Sequence, residues 1–203
     1  MAGGNAPDDL TTALCGSATA DGLTDDQVVG FLFLLIIAGN ETTTKLLANC
    51  LLALQRWPSE RRKVAADPSR IPDAVEEILR HEGSTQLMAR TLTKPVALHG
   101  EVMPEGAKVL LLLGSANRDE RVWDRPDDFD IDRKSEVQHV GFGHGIHVCL
   151  GAALARLEMR VSLEEILRVM PGYEIDERSC TRVHSGNVRG WAKVPIRVGA
   201  VPA

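Results

Sequence analysis

The longest hydrophobic pattern in the chain runs from Thr24 to about Trp57. Thr24-Asp25-Asp26-Gln27 has the form of a capping box with acids in the first turn, a helix start. Pro58 closes the pattern, because a proline disfavours helix in the residue before it. A helix of ~33 residues is about 50 Å long at 1.5 Å per residue, enough to cross a domain. Its portion from residue 31 to 38 is apolar on every side, which predicts a buried central helix. The apolar run, residues 28–38, is broken by Gly30 and falls short of the roughly 20 residues that span a bilayer.

Shorter patterns flank this helix. Residues 1–7 read as a flexible tail and residues 8–14 as a short helix. A basic helix is expected over 59–66 and another over 71–82, with Pro72 in its first turn. From Met88 the period changes, and residues 96–100 and 108–113 predict two strands joined by a turn at Pro104-Glu105-Gly106. Residues 117–133 are polar and read as an ordered, irregular segment. Leu150, Leu154, Leu157 and Val161 then recur at helical spacing, so a helix continues to about Val169, where Pro171-Gly172 ends it. Short strands with a turn at Ser185-Gly186-Asn187 fill residues 173–198. The sum is a mainly α chain with small β-sheets, an α+β fold.

Composition narrows the function classes. The 203 residues are 44% hydrophobic and 25% charged, as in soluble globular proteins. A net charge of −5 argues against general affinity for nucleic acid or anionic lipid. Four cysteines (Cys15, Cys50, Cys149, Cys180) lie far apart without a C-x-x-C pair, which favours a reducing compartment. The first residues carry no basic stretch of the kind that opens a signal peptide. A cytoplasmic protein with no nucleic-acid or membrane partner is expected.

One cysteine changes the picture. Residues 141–151 read G-F-G-H-G-I-H-V-C-L-G, placing Cys149 after a glycine-punctuated loop and just before a helix. Helix-start N–H groups favour a thiolate, a soft ligand better suited as a lone donor to haem iron than to structural zinc. Gly143 and Gly145 permit unusual dihedrals and close approach of the main chain to a flat ligand, and Gly151 permits tight packing of the next helix. Two alternatives stay open on the residues alone. His139, His144, His147 and Cys149 are all metal-ligand types, although not at zinc-module spacing, and Cys149 reads equally as a small buried residue.

Residues 142–151 resemble the haem-binding signature of the cytochrome P-450 family, F-x-x-G-x-x-x-C-x-G. Three further motifs occur in that family's order. Ala38-Gly39-Asn40-Glu41-Thr42-Thr43 resembles the [AG]-G-x-[DE]-T-[TS] of its long distal helix, where Ser and Thr can distort the helix. Glu77-Ile78-Leu79-Arg80 matches its E-x-x-R, a spacing that puts both side chains on one helical face. Arg133, in the polar segment, is the candidate third member of that scaffold.

The resemblance implies the C-terminal portion of the family fold: a long central helix, a cysteine loop and a following helix. It implies a single partial domain over residues 1–203, truncated so that the N-terminal half is absent. The implied cofactor is haem b (iron protoporphyrin IX), with Cys149 as axial thiolate to the iron. Phe142 would shield the sulfur, with Gly143 and Gly151 shaping the loop, and His147 and Arg90 would lie at the haem propionates. Glu41 and Thr42 would be the catalytic acid and alcohol, Glu77, Arg80 and Arg133 the scaffold. Residues 83–87 and 184–189 would line a mostly apolar substrate pocket, and Arg156 would meet a redox partner.

The implied activity is an oxidoreductase: a monooxygenase inserting one oxygen atom from O2 into an apolar small molecule, or the haem-binding half of one. Electrons would come from NAD(P)H through a ferredoxin- or flavin-type redox partner. The alternatives are a truncated, non-catalytic fragment with weak or no haem binding, and a metal-binding module using His144, His147 and Cys149.

Overall fold

A computed structural model describes residues 9–16 and 22–199, so the tail expected over 1–7 lies outside the described residues. The chain divides into two compact units, one ending at Glu41 and the other beginning at Thr42. Helix α1 (Leu10–Gly16) is followed by α2 (Asp25–Arg56), α3 (Pro58–Ala66) and α4 (Ile71–His81). Helix α2 opens on the capping box read from the sequence. The Gln27 amide donates to Thr24 Oγ1 at 3.3 Å, and the Thr24 amide donates to Gln27 Oε1 at 2.8 Å. Pro58 does double duty: it ends α2 and occupies the first turn of α3, where its missing N–H costs nothing.

The two parts of α2 are buried very differently. In the second unit Leu46, Cys50, Leu51, Leu52, Ala53 and Leu54 are core residues. Among the described residues of the first unit only Val28 is a buried apolar side chain, while Phe33 is 66% and Ile36 72% exposed. The expectation of a buried central helix over 31–38 is therefore not met: Phe31, Leu32 and Leu35 are half-buried and the other residues of the stretch are exposed. Among the described residues α2 is also the one helix long and apolar enough to cross a membrane, by length and composition.

The core of the second unit joins the end of α2 to Ile71, Val75 and Ile78 of α4 and to Met159 and Leu163 of α6 (Ala152–Val169). Tyr173 closes it from below, its hydroxyl donating to the Leu51 carbonyl at 2.8 Å. Removing a fully buried leucine such as Leu54 from a core of this kind costs about 2–5 kcal/mol.

Four small antiparallel sheets complete the fold, and one pairing differs from expectation. Strands β1 (Met88–Thr91), β2 (Val96–Leu98), β3 (Glu101–Met103) and β4 (Lys108–Leu111) pair as β1 with β4 and β2 with β3. The two strands read from the sequence thus belong to different sheets. His99 and Gly100 both take positive φ (51° and 86°), the geometry of a tight two-residue hairpin, so β2 turns straight back into β3. Pro104-Glu105-Gly106 turns β3 into β4 instead. After the single turn α5 (Leu113–Ala116) and α6, β5 (Glu174–Ile175) pairs with β8 (Ile196–Arg197), and β6 (Thr181–Arg182) with β7 (Trp191–Lys193).

At the end of α4, His81 is buried between the rings of Trp57 and Phe129, with centroids 5.0 and 5.7 Å away. Its Nε2 lies 2.9 Å from the Asp127 carbonyl, which can only accept, so Nε2 carries the proton and donates. Its Nδ1 is buried without a partner. Burial pushes His81 below the usual histidine value of 6.5, partly opposed by the Asp127 hydrogen bond. The unfolded chain therefore binds a proton near pH 6.5 that the folded chain refuses, and the stability involved is present above 6.5 and lost as pH falls below it. The thermal midpoint is expected to fall more steeply between pH 7.5 and 5.5 in the wild type than in His81→Phe. Equal slopes would remove His81 as the titrating group.

Candidate functional site

The cysteine loop belongs to the second unit and is shaped by its own backbone. Gly143 (φ 74°) and Gly145 (φ 68°) occupy the left-handed region, where a Cβ is strained. The Gly143 amide donates to Val140 O at 2.9 Å, the Val148 amide to Gly145 O at 3.0 Å, and the Cys149 amide to Phe142 O at 2.8 Å. The loop is thereby closed on itself, and Cys149 is held at its end with an exposed thiol. Apolar side chains around it also face solvent: Ile146 is 97% and Leu150 77% exposed, and Val148 and Leu154 are exposed as well. A Cβ at Gly151 would meet only the Cys149 sulfur, at 3.9 Å, so this glycine leaves the sulfur clear rather than tightening a helix contact.

The glycine that permits close packing is Gly141, which the sequence pattern did not single out. A Cβ there would lie 2.7 Å from the Leu79 carbonyl of α4 and 3.2 Å from His139 Nδ1. Asn117, buried and also unforeseen, pins the same strip: its Oδ1 accepts from the Val140 amide at 2.8 Å. The loop further rests on a cluster of Glu76, His139, Phe142 and Arg156. Arg156 donates from Nε and Nη2 to the two Glu76 oxygens at 2.6 and 2.9 Å, and its guanidinium lies 4.7 Å over the Phe142 ring. His139 Nε2 is 3.1 Å from Glu76 Oε2. Burial pushes the Glu76 carboxyl up, but the Arg156 and His139 hydrogen bonds outweigh it and hold it down at about 2. Arg156, expected at a docking surface, is already committed within the chain.

Glu77, Arg80 and Arg133 meet in the buried interior beneath this loop. Arg80 forks onto Glu77 with both contacts at 2.8 Å, and Arg133 Nε reaches Glu77 Oε1 at 3.2 Å. Side chains of Glu77 and Arg80 are only 4% and 2% exposed. The remaining donors are spent on main-chain carbonyls. Arg80 bonds those of Asn117, Pro126 and Asp128; Arg133 bonds those of Asp124, Arg125 and Asp128. The Asp130 amide completes the set by donating to Glu77 Oε1 at 2.9 Å.

The other candidates are more dispersed. Glu41 is exposed and Thr42 half-buried on α2, which stays α-helical through residues 38–43, without the break that Ser/Thr distortion would produce. Arg90 is half-buried on β1, and its Nη1 donates to the Ala89 carbonyl at 2.9 Å. His144 and His147 are exposed. Among the described residues the only group of three or more His, Cys, Asp and Glu side chains with ligand atoms close enough to share an ion is Glu60, Asp130 and Asp132. His144, His147 and Cys149 therefore form no preassembled metal site, which removes the geometric basis of the metal-module reading. Segments 83–87 and 184–189 are brought together: the Gln86 amide donates to Asn187 O at 2.8 Å and the Arg189 amide to Ser84 O at 2.7 Å. A cavity of about 320 Å³ beside them is lined by Gln86, Arg182, Val183, Asn187, Val188 and Arg189 among others, a mixed polar and apolar wall.

One soft sulfur donor, set in an exposed apolar rim on a loop that glycines keep low, suits a flat apolar macrocycle with a metal at its centre. The chain's similarities point the same way. Residues 4–170 match the cytochrome P450 family. Cytochrome P450 123 of Mycobacterium tuberculosis is 50% identical over 192 residues, 94% of this chain and 48% of that protein. The biotin biosynthesis cytochrome P450 of Bacillus subtilis is 41% identical over 167 residues, 82% of this chain and 42% of that protein. Among solved structures, CYP109E1 from Bacillus megaterium in complex with testosterone aligns with a TM-score of 0.87 at 34% identity, over 93% of this chain and 53% of the other. The chain spans about half the length of the curated relatives it matches.

Proposed function

The chain belongs to the cytochrome P450 family, and from that premise we propose that it provides the haem-binding portion of a haem-thiolate monooxygenase. The reaction inserts one oxygen atom from O2 into an apolar small molecule. The observation that carries this reading is the exposed Cys149 thiol, held by a self-closed glycine loop inside an apolar rim. Bound haem b supplies a redox-active iron to which a thiolate lends electron density, favouring O–O cleavage.

The candidate residues divide the work in this proposal. Cys149 would hold the iron through its sulfur, and Phe142, whose carbonyl fixes the Cys149 amide, would cover that sulfur when haem is bound. Gly143 and Gly151 keep the approach to it free of side chains. His147 and Arg90 hold propionates; the planar fork of an arginine suits a carboxylate. Glu41 passes protons and Thr42 hands them on. Electrons reach the site from NAD(P)H through a ferredoxin- or flavin-type protein, in the cytoplasm.

The test is spectroscopic. Chain reconstituted with iron protoporphyrin IX, reduced with dithionite and exposed to carbon monoxide is expected to give the red-shifted Soret band of thiolate ligation. Folded chain, shown as such by circular dichroism, that lacks this band would overturn the reading. For the relay, Thr42→Ala in a turnover-competent protein containing this chain should send most of the consumed reductant to hydrogen peroxide. Unchanged coupling would take Thr42 out of the proton path.

A further inference from the structure

Glu76 and Arg156 lie 80 residues apart in sequence, yet they form the tightest side-chain link between α4 and α6. As a brace this pair is weak, because both side chains are nearly half exposed and such pairs contribute little to stability. Its placement is more telling. Arg156 sits two helical turns after Cys149, with its guanidinium against the face of Phe142. Phe142 is in turn the residue whose carbonyl holds the Cys149 amide.

We propose that Arg156 and Glu76 are positioning residues that set the electrostatic field at the Cys149 sulfur, Arg156 supplying positive charge and Glu76 fixing and partly offsetting it. The inference rests on the haem-thiolate reading and adds a control of electron affinity to it. Arg156 is held above the usual arginine range, first by its Glu76 hydrogen bonds, against burial, and then by the charges of Glu76 and of the Cys149 sulfur. The guanidinium stands over Phe142, whose carbonyl accepts from the Cys149 amide, so its positive charge lies beside the segment that carries the sulfur. His139 completes the fixation. The Gly141 amide donates to its Nδ1 at 3.1 Å, so the ring proton is on Nε2 and is given to Glu76. Glu76 thus has both oxygens occupied.

The test uses chain loaded with iron protoporphyrin IX and a mediated dithionite titration, in which dithionite supplies the single electron taken up. Loss of the cation in Arg156→Gln is expected to lower the equilibrium constant for reduction about tenfold, which is about 59 mV for one electron. Glu76→Gln, which uncovers the cation, should raise it several-fold. The double variant should return near the wild type, and Arg156→Lys, which keeps the charge, should restore most of the loss. A purely structural pair would behave otherwise, since both single variants break the same contact and would shift the midpoint the same way. Shifts of one sign, or none, in a chain that still shows the thiolate band with carbon monoxide would overturn this inference alone. Absence of that band in the wild type would overturn the haem-thiolate reading and this inference with it.

Discussion

Replacing Glu77 with alanine is expected to unfold much of the chain at room temperature, lowering stability by about 3–5 kcal/mol. The reason is what the substitution leaves behind. Arg80 and Arg133 have side chains only 2% and 9% exposed, and Glu77 is the carboxylate that both of them contact. Without it two guanidiniums remain in the interior with no counter-charge, and the Asp130 amide loses its acceptor. Breaking one side of a buried pair costs far more than the pair itself is worth. A loss of that size consumes a large part of the 5–15 kcal/mol that holds a typical domain together. A urea titration followed by circular dichroism measures it. Glu77→Gln, which keeps the shape and drops the charge, should fall between the two. A Glu77→Ala midpoint equal to the wild type would show that solvent reaches the cluster and that it braces nothing.

Cys149→Ala should abolish the red-shifted carbon monoxide band completely while leaving the thermal midpoint nearly unchanged. Both halves of this expectation follow from position. The thiol is exposed, so its removal opens no cavity. Neither Cys50 nor Cys180 is a ready substitute. Cys50 is fully buried, and burial pushes its thiol up to about 12, away from both ligand and ionisation. Cys180 is half-buried against the Asp176 carbonyl, so Cys180→Ala should retain the band in full. A residual spectrum in Cys149→Ala with the band at the ordinary position would mean that an exposed histidine such as His147 has taken the iron. A retained red-shifted band would remove Cys149 as the ligand.

What was legible in the sequence was mostly local. The capping box at Thr24–Gln27 names its own partners three residues apart, and Pro58, Pro72 and Pro171-Gly172 mark ends that depend only on neighbouring backbone. The cysteine loop was readable for the same reason: its glycines and Cys149 lie within eleven residues. Glu77 with Arg80 is a spacing of three, whereas linking Arg133 to them needed the family's order of motifs.

The misreadings have physical causes too. His99-Gly100 makes the tight hairpin without the Asn-Gly or Asp-Gly signature, so the more conspicuous Pro104–Gly106 turn drew the strands into one pair. Residues 31–38 carry the composition of a buried helix, but burial depends on what else is present to cover them, and composition does not report that. Glu76, Asn117 and Gly141 act through partners 23 to 80 residues away, and no local pattern announces such contacts. Arg156 on an exposed helix reads as a free cation until Glu76 is seen beside it.

Arg80 and Arg133 grip the segment from Asn117 to Asp128 by main-chain oxygens rather than by side chains. A carbonyl is common to all residues, so the grip makes few demands on which residues occupy that stretch. The side chains of Arg121, Asp124 and Asp127 are more than 80% exposed and point away from it. The path of the segment is therefore set by three charged positions, two of them on α4, together with its own inward side chains Asn117, Arg118 and Trp123. Such a division lets the outward-facing positions drift under mutation, acquiring new charge or new contacts, while the cysteine loop resting on the same α4 stays where it is.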